Sequence, residues 1–326
     1  MIMMQFDRIS LGRQAKEFGF VRDTFEKVCR LADVLTFMEN DDLLSNTLAL
    51  KGGTAINLTI FDLPRLSVDI DMDYAKDVPR ENMLQEREQI TDHIQKYMTA
   101  TGYRLSPKSK QYHALDSFVY EYVNAGGMKD NLKIEINYML RCHAFPVSHR
   151  TVELPWNDGK IAVLSVDPIE IFSAKAVALI NRAAARDLYD MFNLQKYGLF
   201  DESQKAVFKK CVMLYSAIAS ESVPEHFDFS GIAKISAQKI KTDLTPVLRK
   251  TEHFDLPTAK EKVEEYLKDT LLPEGELSFW KFFAQGEYKP ELLFDDNEIL
   301  SRIVGHPMAR WKCSKIKVTI DPTHII

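Results

Sequence analysis

Leu48-Ala49-Leu50-Lys51-Gly52-Gly53-Thr54, followed by Val68-Asp69-Ile70-Asp71-Met72-Asp73, is the stretch on which the fold of this chain turns. In its second half apolar and acidic residues alternate. Successive strand side chains point to opposite faces, so Val68, Ile70 and Met72 are expected to face a core while Asp69, Asp71 and Asp73 share the other side. Carboxylates one strand period apart lie roughly 6.5–7 Å apart at Cα, close enough for their side chains to converge on a hard divalent ion. Three like charges on one face repel unless a cation sits among them. Mg²⁺, held by a few carboxylates together with substrate phosphates, suits such a face.

The first half supplies the complementary feature. Two glycines after an apolar run let the backbone turn tightly and approach a ligand, and Thr54 to Phe61 reads as a short helix whose N-terminus favours a phosphate. This is not a P-loop, because no lysine and hydroxyl pair follows the glycines at the required spacing. The bland alternative is a turn followed by an edge strand with solvent-facing aspartates. Either short motif alone says little, whereas the two separated by one helix and a loop are far more specific.

A second strand carries a third carboxylate. In Leu132-Lys133-Ile134-Glu135-Ile136-Asn137-Tyr138, residues Leu132, Ile134 and Ile136 form an apolar face with Lys133, Glu135 and Asn137 opposite. Glu135 is thus a candidate third metal ligand, the alternative being an outward-facing polar residue of an amphipathic strand.

Asp167-Pro168-Ile169-Glu170 reads as a helix start, with Asp as N-cap, Pro at the first helical position and Glu three residues after the cap. An apolar stripe at helical spacing follows through Ile171, Phe172, Ala176, Leu179 and Ile180. Lys175, Arg182 and Arg186 fall within about 20° of one line down a continuous helix, a line able to meet a triphosphate or, alternatively, a solvated basic face.

Lys51-Gly52-Gly53-Thr54-Ala55-Ile56-Asn57-Leu58, Arg65-Leu66-Ser67-Val68-Asp69-Ile70-Asp71 and the Lys175 to Asp190 segment together resemble the AbiEii-type nucleotidyltransferase toxins of bacterial toxin–antitoxin systems, within the DNA polymerase beta-like superfamily. The motifs cover about the first two thirds of the chain. The resemblance implies an α+β fold: a nucleotidyltransferase core with a mixed sheet, residues 1–165, followed by a mainly helical C-terminal lobe, residues 166–326. It implies catalytic roles for Asp69, Asp71, Glu135, Lys175 and Asp187, with Asp69, Asp71 and Glu135 as Mg²⁺ ligands and Asp190 open as the alternative to Asp187. Gly52, Gly53, Thr54, Arg65, Ser67, Arg182 and Arg186 are the expected nucleotide-binding residues. The implied activity is transfer of NMP from NTP to an RNA, the tRNA 3′ end foremost, with a cognate antitoxin as protein partner. The alternatives are transfer to a protein or small molecule, or a catalytically silent nucleotide-binding protein.

Composition bounds these readings. With 45 % hydrophobic residues among 326, the chain can bury a sizeable core. No apolar run reaches membrane-span length and the N-terminal stretch lacks a signal-peptide core, so a cytoplasmic protein is expected. Cys29, Cys142, Cys211 and Cys313 are scattered without zinc or disulfide spacing. A net charge of −5 argues against wrapping nucleic acid on a basic surface but allows a local groove, for which Arg141, His143, His149 and Arg150 are candidates, a solvated loop being the alternative.

Along the chain, residues 13–41 read as helical with Phe18, Phe20, Phe25, Val28 and Leu31 on one buried face, and Met83 to Thr101 as another helix. Tyr112 to Val123, the turn Asn124-Ala125-Gly126-Gly127 and the Glu135 strand read as a hairpin. Beyond Gly198 the chain reads as helical, with breaks near Pro224, Pro257 and Pro273 to Gly275. The cluster Phe279-Trp280-Lys281-Phe282-Phe283 reads as buried helix rather than a base-stacking platform.

Overall fold

The alternating segments assemble into one mixed sheet. The computed structural model describes residues 6–156, 159–272 and 277–320. Its strands are β1 Leu48–Lys51, β2 Asp69–Tyr74, β3 Arg104–Leu105, β4 Lys110–Gln111, β5 Leu115–Val123, β6 Lys129–Asn137, β7 Ser148–Leu154 and β8 Gly159–Ser165. They lie in the order β3-β5-β6-β2-β1-β8-β7, with β4 also on β5. β1 runs antiparallel to β2 and parallel to β8, while β2 and β6 are parallel neighbours. Leu50, Ile70, Ile134 and Ile136 are fully buried, the outcome expected of the apolar face of each alternation.

The expected hairpin is present as β5 and β6. Its turn is held by Asn124, whose side-chain oxygen accepts the N–H groups of Gly126 and Met128, both at 2.9 Å.

The chain divides into two units. The first comprises the described residues of Met1–Arg141, Val147–Val166 and Pro246–Glu252, and contains the whole sheet. Its helices include α1 Arg8–Glu17, α2 Arg22–Glu39, α3 Asp42–Ser45, α4 Gly52–Ala55 and α5 Arg80–Ala100. The run expected as one helix over 13–41 is two. Gly19, at φ +78°, lets the N–H of Phe20 fold back on the carbonyl of Ala15 at 2.7 Å, which stops α1 before α2 begins. The buried positions of the expected face survive the break, with Phe20, Phe25, Val28 and Leu31 all at 1 % exposure or less.

The second unit comprises Cys142–Pro146, Asp167–Thr245 and the described residues of His253–Ile326, and is helical. It holds α6 Pro168–Arg182, α7 Ala185–Lys196 and α8 Glu202–Ala219, then helices at Leu256–Leu271, Leu277–Ala284, Asn297–Ile303 and Pro307–Ile320. Asp167 caps α6 by accepting the N–H of Ile169 at 2.8 Å, as its sequence signature predicts. Glu170 does not return to that cap. Its buried carboxylate accepts the N–H groups of Ala144 and Phe145, both at 3.0 Å, and the Tyr215 hydroxyl, with His143 Nδ1 3.6 Å away. Burial raises its pKa, but the hydrogen bond and charge of His143, with the Tyr215 and Phe145 donors, hold it below the usual carboxylate range.

Pro224 falls in a break as expected. Pro257 instead sits in the first turn of Leu256–Leu271, where its missing N–H costs nothing. The break expected at Pro273 to Gly275 lies outside the described residues. In Leu277–Ala284 the aromatic cluster is core: Phe279, Trp280 and Phe283 are buried, and the Trp280 indole donates to the Met213 carbonyl at 2.9 Å.

Candidate active site

Parallel pairing of β2 with β6 sets Asp71 directly beside Glu135, and Asp69 beside Lys133. Strand alternation puts all four side chains on one half-exposed face, while Ile70, Ile134 and Ile136 anchor the other. The three carboxylates expected from sequence are therefore neighbours. Asp73, expected on the same polar side, is instead 3 % exposed and ion-paired to Lys51 at 2.5 Å.

Lys133 is the residue that sequence reasoning passed over. Its Nζ lies 2.9 Å from Oε1 of Glu135. Burial works against the ammonium, yet the carboxylates of Glu135, Asp69 and Asp71 hold its pKa above the ordinary value. The signal was present in the strand pattern, since Lys133 precedes Glu135 by one strand period and so shares its face.

The glycine turn is built around these side chains. A β-carbon on Gly52, whose φ is +67°, would stand 2.6 Å from Asp71 Oδ2. One on Gly53 would meet the Arg65 guanidinium at 2.8 Å and Ser67 Oγ at 3.0 Å. Beside the expected close approach of a ligand, the structure shows a second reason for the glycines, close approach by the chain's own Asp71, Arg65 and Ser67. The helix starts earlier than the expected Thr54, running from Gly52 through α4 and on through the π-helical Ile56–Ile60. Thr54 donates its hydroxyl to the carbonyl of Asp69, tying the turn to the first residue of β2. Asn57 completes the tie by donating to the Gly53 carbonyl at 2.7 Å and accepting the Arg65 N–H at 3.2 Å. Arg65 itself is 2 % exposed, with Nη1 donating to the Leu66 carbonyl at 2.9 Å.

In the second unit, Lys175 is buried and ion-paired with both candidate aspartates, to Asp187 at 2.9 Å and Asp190 at 3.2 Å. Asp187 also accepts from Arg182 Nε at 2.8 Å. Burial pushes the Asp187 carboxyl up, but Lys175 and Arg182 more than offset it and leave the pKa below the usual range. The continuous basic line expected through Lys175, Arg182 and Arg186 is not formed. α6 ends at Arg182, Ala183 takes a left-handed conformation at φ 49°, and Arg186 lies on α7, donating to the Asp243 carbonyl at 2.7 Å. A left-handed alanine costs roughly 1–2 kcal/mol. The bend sets Asp187 and Asp190 against the buried Lys175, and ionic contacts of that kind offset such a cost.

Among the described residues no three or more Asp, Glu, His or Cys side chains are arranged to hold a metal ion. As a donor set Asp69, Asp71 and Glu135 are of the type a hard divalent ion takes, carboxylate oxygens on adjacent strands; Lys133 pairs with Glu135 and feels the charge of Asp69 and Asp71. The cysteines are free and buried, and no described helix is long and apolar enough to cross a membrane.

A family model described as the nucleotidyl transferase AbiEii toxin of type IV toxin–antitoxin systems matches residues 36–284. Among solved structures, the nucleotidyltransferase toxin MenT4 of Mycobacterium tuberculosis H37Rv aligns with a TM-score of 0.63 at 14 % identity, over 85 % of this chain and 93 % of that one, which shows a shared fold. An E. coli CdnC structure with ATP aligns over 88 % of this chain and 95 % of that one, at 14 % identity and a TM-score of 0.25, too low to support any likeness. No curated protein matches the chain.

Proposed function

The chain belongs to the AbiEii family of nucleotidyltransferase toxins of type IV toxin–antitoxin systems, and from that premise we propose that it transfers NMP from an NTP to an RNA, with the tRNA 3′ end as acceptor. The observation that carries the reading is the register of β2 and β6, which sets Asp69, Asp71 and Glu135 on one accessible face beside the Gly52-Gly53 turn.

Asp69, Asp71 and Glu135 would hold Mg²⁺. When bound, the ion supplies Lewis-acid stabilisation of charge on the phosphates and lowers the pKa of the attacking hydroxyl. The strands hold the three carboxylates on one face, and their side chains, with Glu135 now on Lys133, would turn to the ion as it binds. The acceptor hydroxyl oxygen bonds to the α-phosphorus, the bond to the β-phosphate bridge oxygen breaks, pyrophosphate leaves and the hydroxyl proton passes to a base. Gly52, Gly53 and Thr54, backed by Arg65 and Ser67, form the proposed nucleotide-binding turn. The same proposal extends to Arg182 and Arg186 as phosphate partners, and to Lys175 with Asp187 or Asp190 as residues required for transfer. An antitoxin protein is the regulatory partner that family membership implies, and the cytoplasm is the proposed site of action.

The net charge of −5 favours a second reading, transfer to a protein or small molecule. Incubation with each labelled NTP, Mg²⁺ and either total RNA or total protein separates the two, with Asp69→Asn and Asp71→Asn as controls. Label in RNA, abolished by both substitutions, is the expected result. Label in the protein fraction alone would replace RNA as the acceptor, and near-normal transfer by both variants would overturn the metal assignment.

A further inference from the structure

Lys133 stands one strand period before Glu135 on β6 and directly across from Asp69 on β2. The face therefore carries three carboxylates and one ammonium, and the ammonium is bonded to one of the three proposed metal ligands. Lys133 and Glu135 are 37 % and 29 % exposed, so water screens the pair and it exchanges readily. A divalent ion bound by Glu135 takes the oxygens that Lys133 now holds and brings like charge against the ammonium. Lys133 then keeps only the charges of Asp69 and Asp71, which the ion also draws on, and a phosphate oxygen is the kind of anion that would replace Glu135.

We propose that Lys133 is a built-in counter-ion of the acidic cluster, which disfavours the divalent ion alone and favours its entry together with nucleotide. The proposal rests on the metal-binding reading of Asp69, Asp71 and Glu135. Its consequence is thermodynamic coupling: phosphates that accept Lys133 release Glu135 for the ion, and each ligand strengthens the other by the same factor. Lys133 would accordingly act on the order in which the site fills, and on its selectivity for metal-bound over free triphosphate.

Mn²⁺ serves as the probe, titrated calorimetrically into the full chain with and without a non-hydrolysable NTP analogue. In the wild type, Mn²⁺ alone is expected to bind weakly and the analogue to tighten it. Lys133→Gln, at a half-exposed position that does not threaten folding, should bind Mn²⁺ alone about tenfold more tightly and lose most of the tightening by nucleotide. Lys133→Arg, which keeps the charge, should retain the coupling. Equal or weaker binding of Mn²⁺ alone by Lys133→Gln overturns the proposal, and if Asp71→Asn still abolishes wild-type binding, the metal reading stands without it. Absence of Mn²⁺ binding by the wild type and Lys133→Gln under both conditions would sink the metal reading and the proposal together. Thermal melting in EDTA gives a separate readout: Lys133→Gln should melt below Lys133→Arg, and equal melting counts against a counter-ion role.

Discussion

Gly52 and Asp71 share one small space: a β-carbon on the glycine would lie 2.6 Å from the carboxylate oxygen Oδ2. Gly52 also has a φ of +67°, which L residues rarely adopt. Gly52→Ala should therefore cost about 1–3 kcal/mol of stability through backbone strain and displace a proposed metal ligand, lowering transfer by at least about tenfold. Chemical denaturation and labelled-NTP transfer check the two effects. Wild-type transfer from this variant would show that the Asp71 position is not held by the glycine turn.

The Lys175 trio predicts a stability effect together with a kinetic one. Removing the ammonium by Lys175→Ala takes the shared cation from the buried Asp187 and Asp190 and leaves Arg182 on Asp187, which should cost about 3–5 kcal/mol. Asp187→Asn should destabilise more than Asp190→Asn, because Asp187 also holds Arg182. Urea unfolding of the three variants gives the order, and equal midpoints for the two aspartate substitutions would contradict it. Transfer by folded Lys175→Ala should fall on the order of a hundredfold or more.

Asp33, on α2, makes folding pH-dependent. Burial pushes its carboxyl up to about 6, with Arg30 opposing. The folded state thus holds this proton more tightly than the unfolded chain, and the associated stability is present at low pH and lost as pH rises through about 6. Asp33→Asn should raise the melting temperature at pH 7.5 and change it little at pH 4. A larger gain at pH 4 would reverse the assigned sign.

Salt dependence tests the acceptor class. Lys175 is committed to two buried aspartates, and the proposed phosphate partners Arg182 and Arg186 already hold Asp187 and the Asp243 carbonyl, so phosphate contacts on that part of the chain are few. RNA labelling should fall with salt at a shallow slope, about −1 to −3 on logarithmic axes. Transfer indifferent to ionic strength would favour a small-molecule or protein acceptor.

Lys133 and Ala183 mark where sequence reading stopped. Lys133 shares a polar strand face with Glu135, but a face says nothing of which neighbouring strand lies alongside, and its place across from Asp69 comes from β2 being that neighbour. Ala183 carries none of the glycine or proline signals of a helix end, so a 3.6-residue period ran straight through it in projection. The bend exists because Lys175 is buried and two aspartates from the next helix compensate its charge.

The sequence by itself determined the alternation of β2 and β6, the β5–β6 hairpin, the glycine turn, the Asp167 cap and the shared polar faces that make Asp69, Asp71 and Glu135 candidates, because alternation, caps and turn residues are local consequences of backbone geometry. It did not show β7 and β8, the first of which carries the His149 and Arg150 that read as groove or loop. Only the tertiary structure decided that Asp73 belongs to Lys51, that Glu135 holds Lys133, that Glu170 secures the 142–146 segment and that Arg186 leaves the Lys175 helix. Those choices depend on which distant charges are desolvated together, and a buried charge takes whichever partner the packing brings within reach.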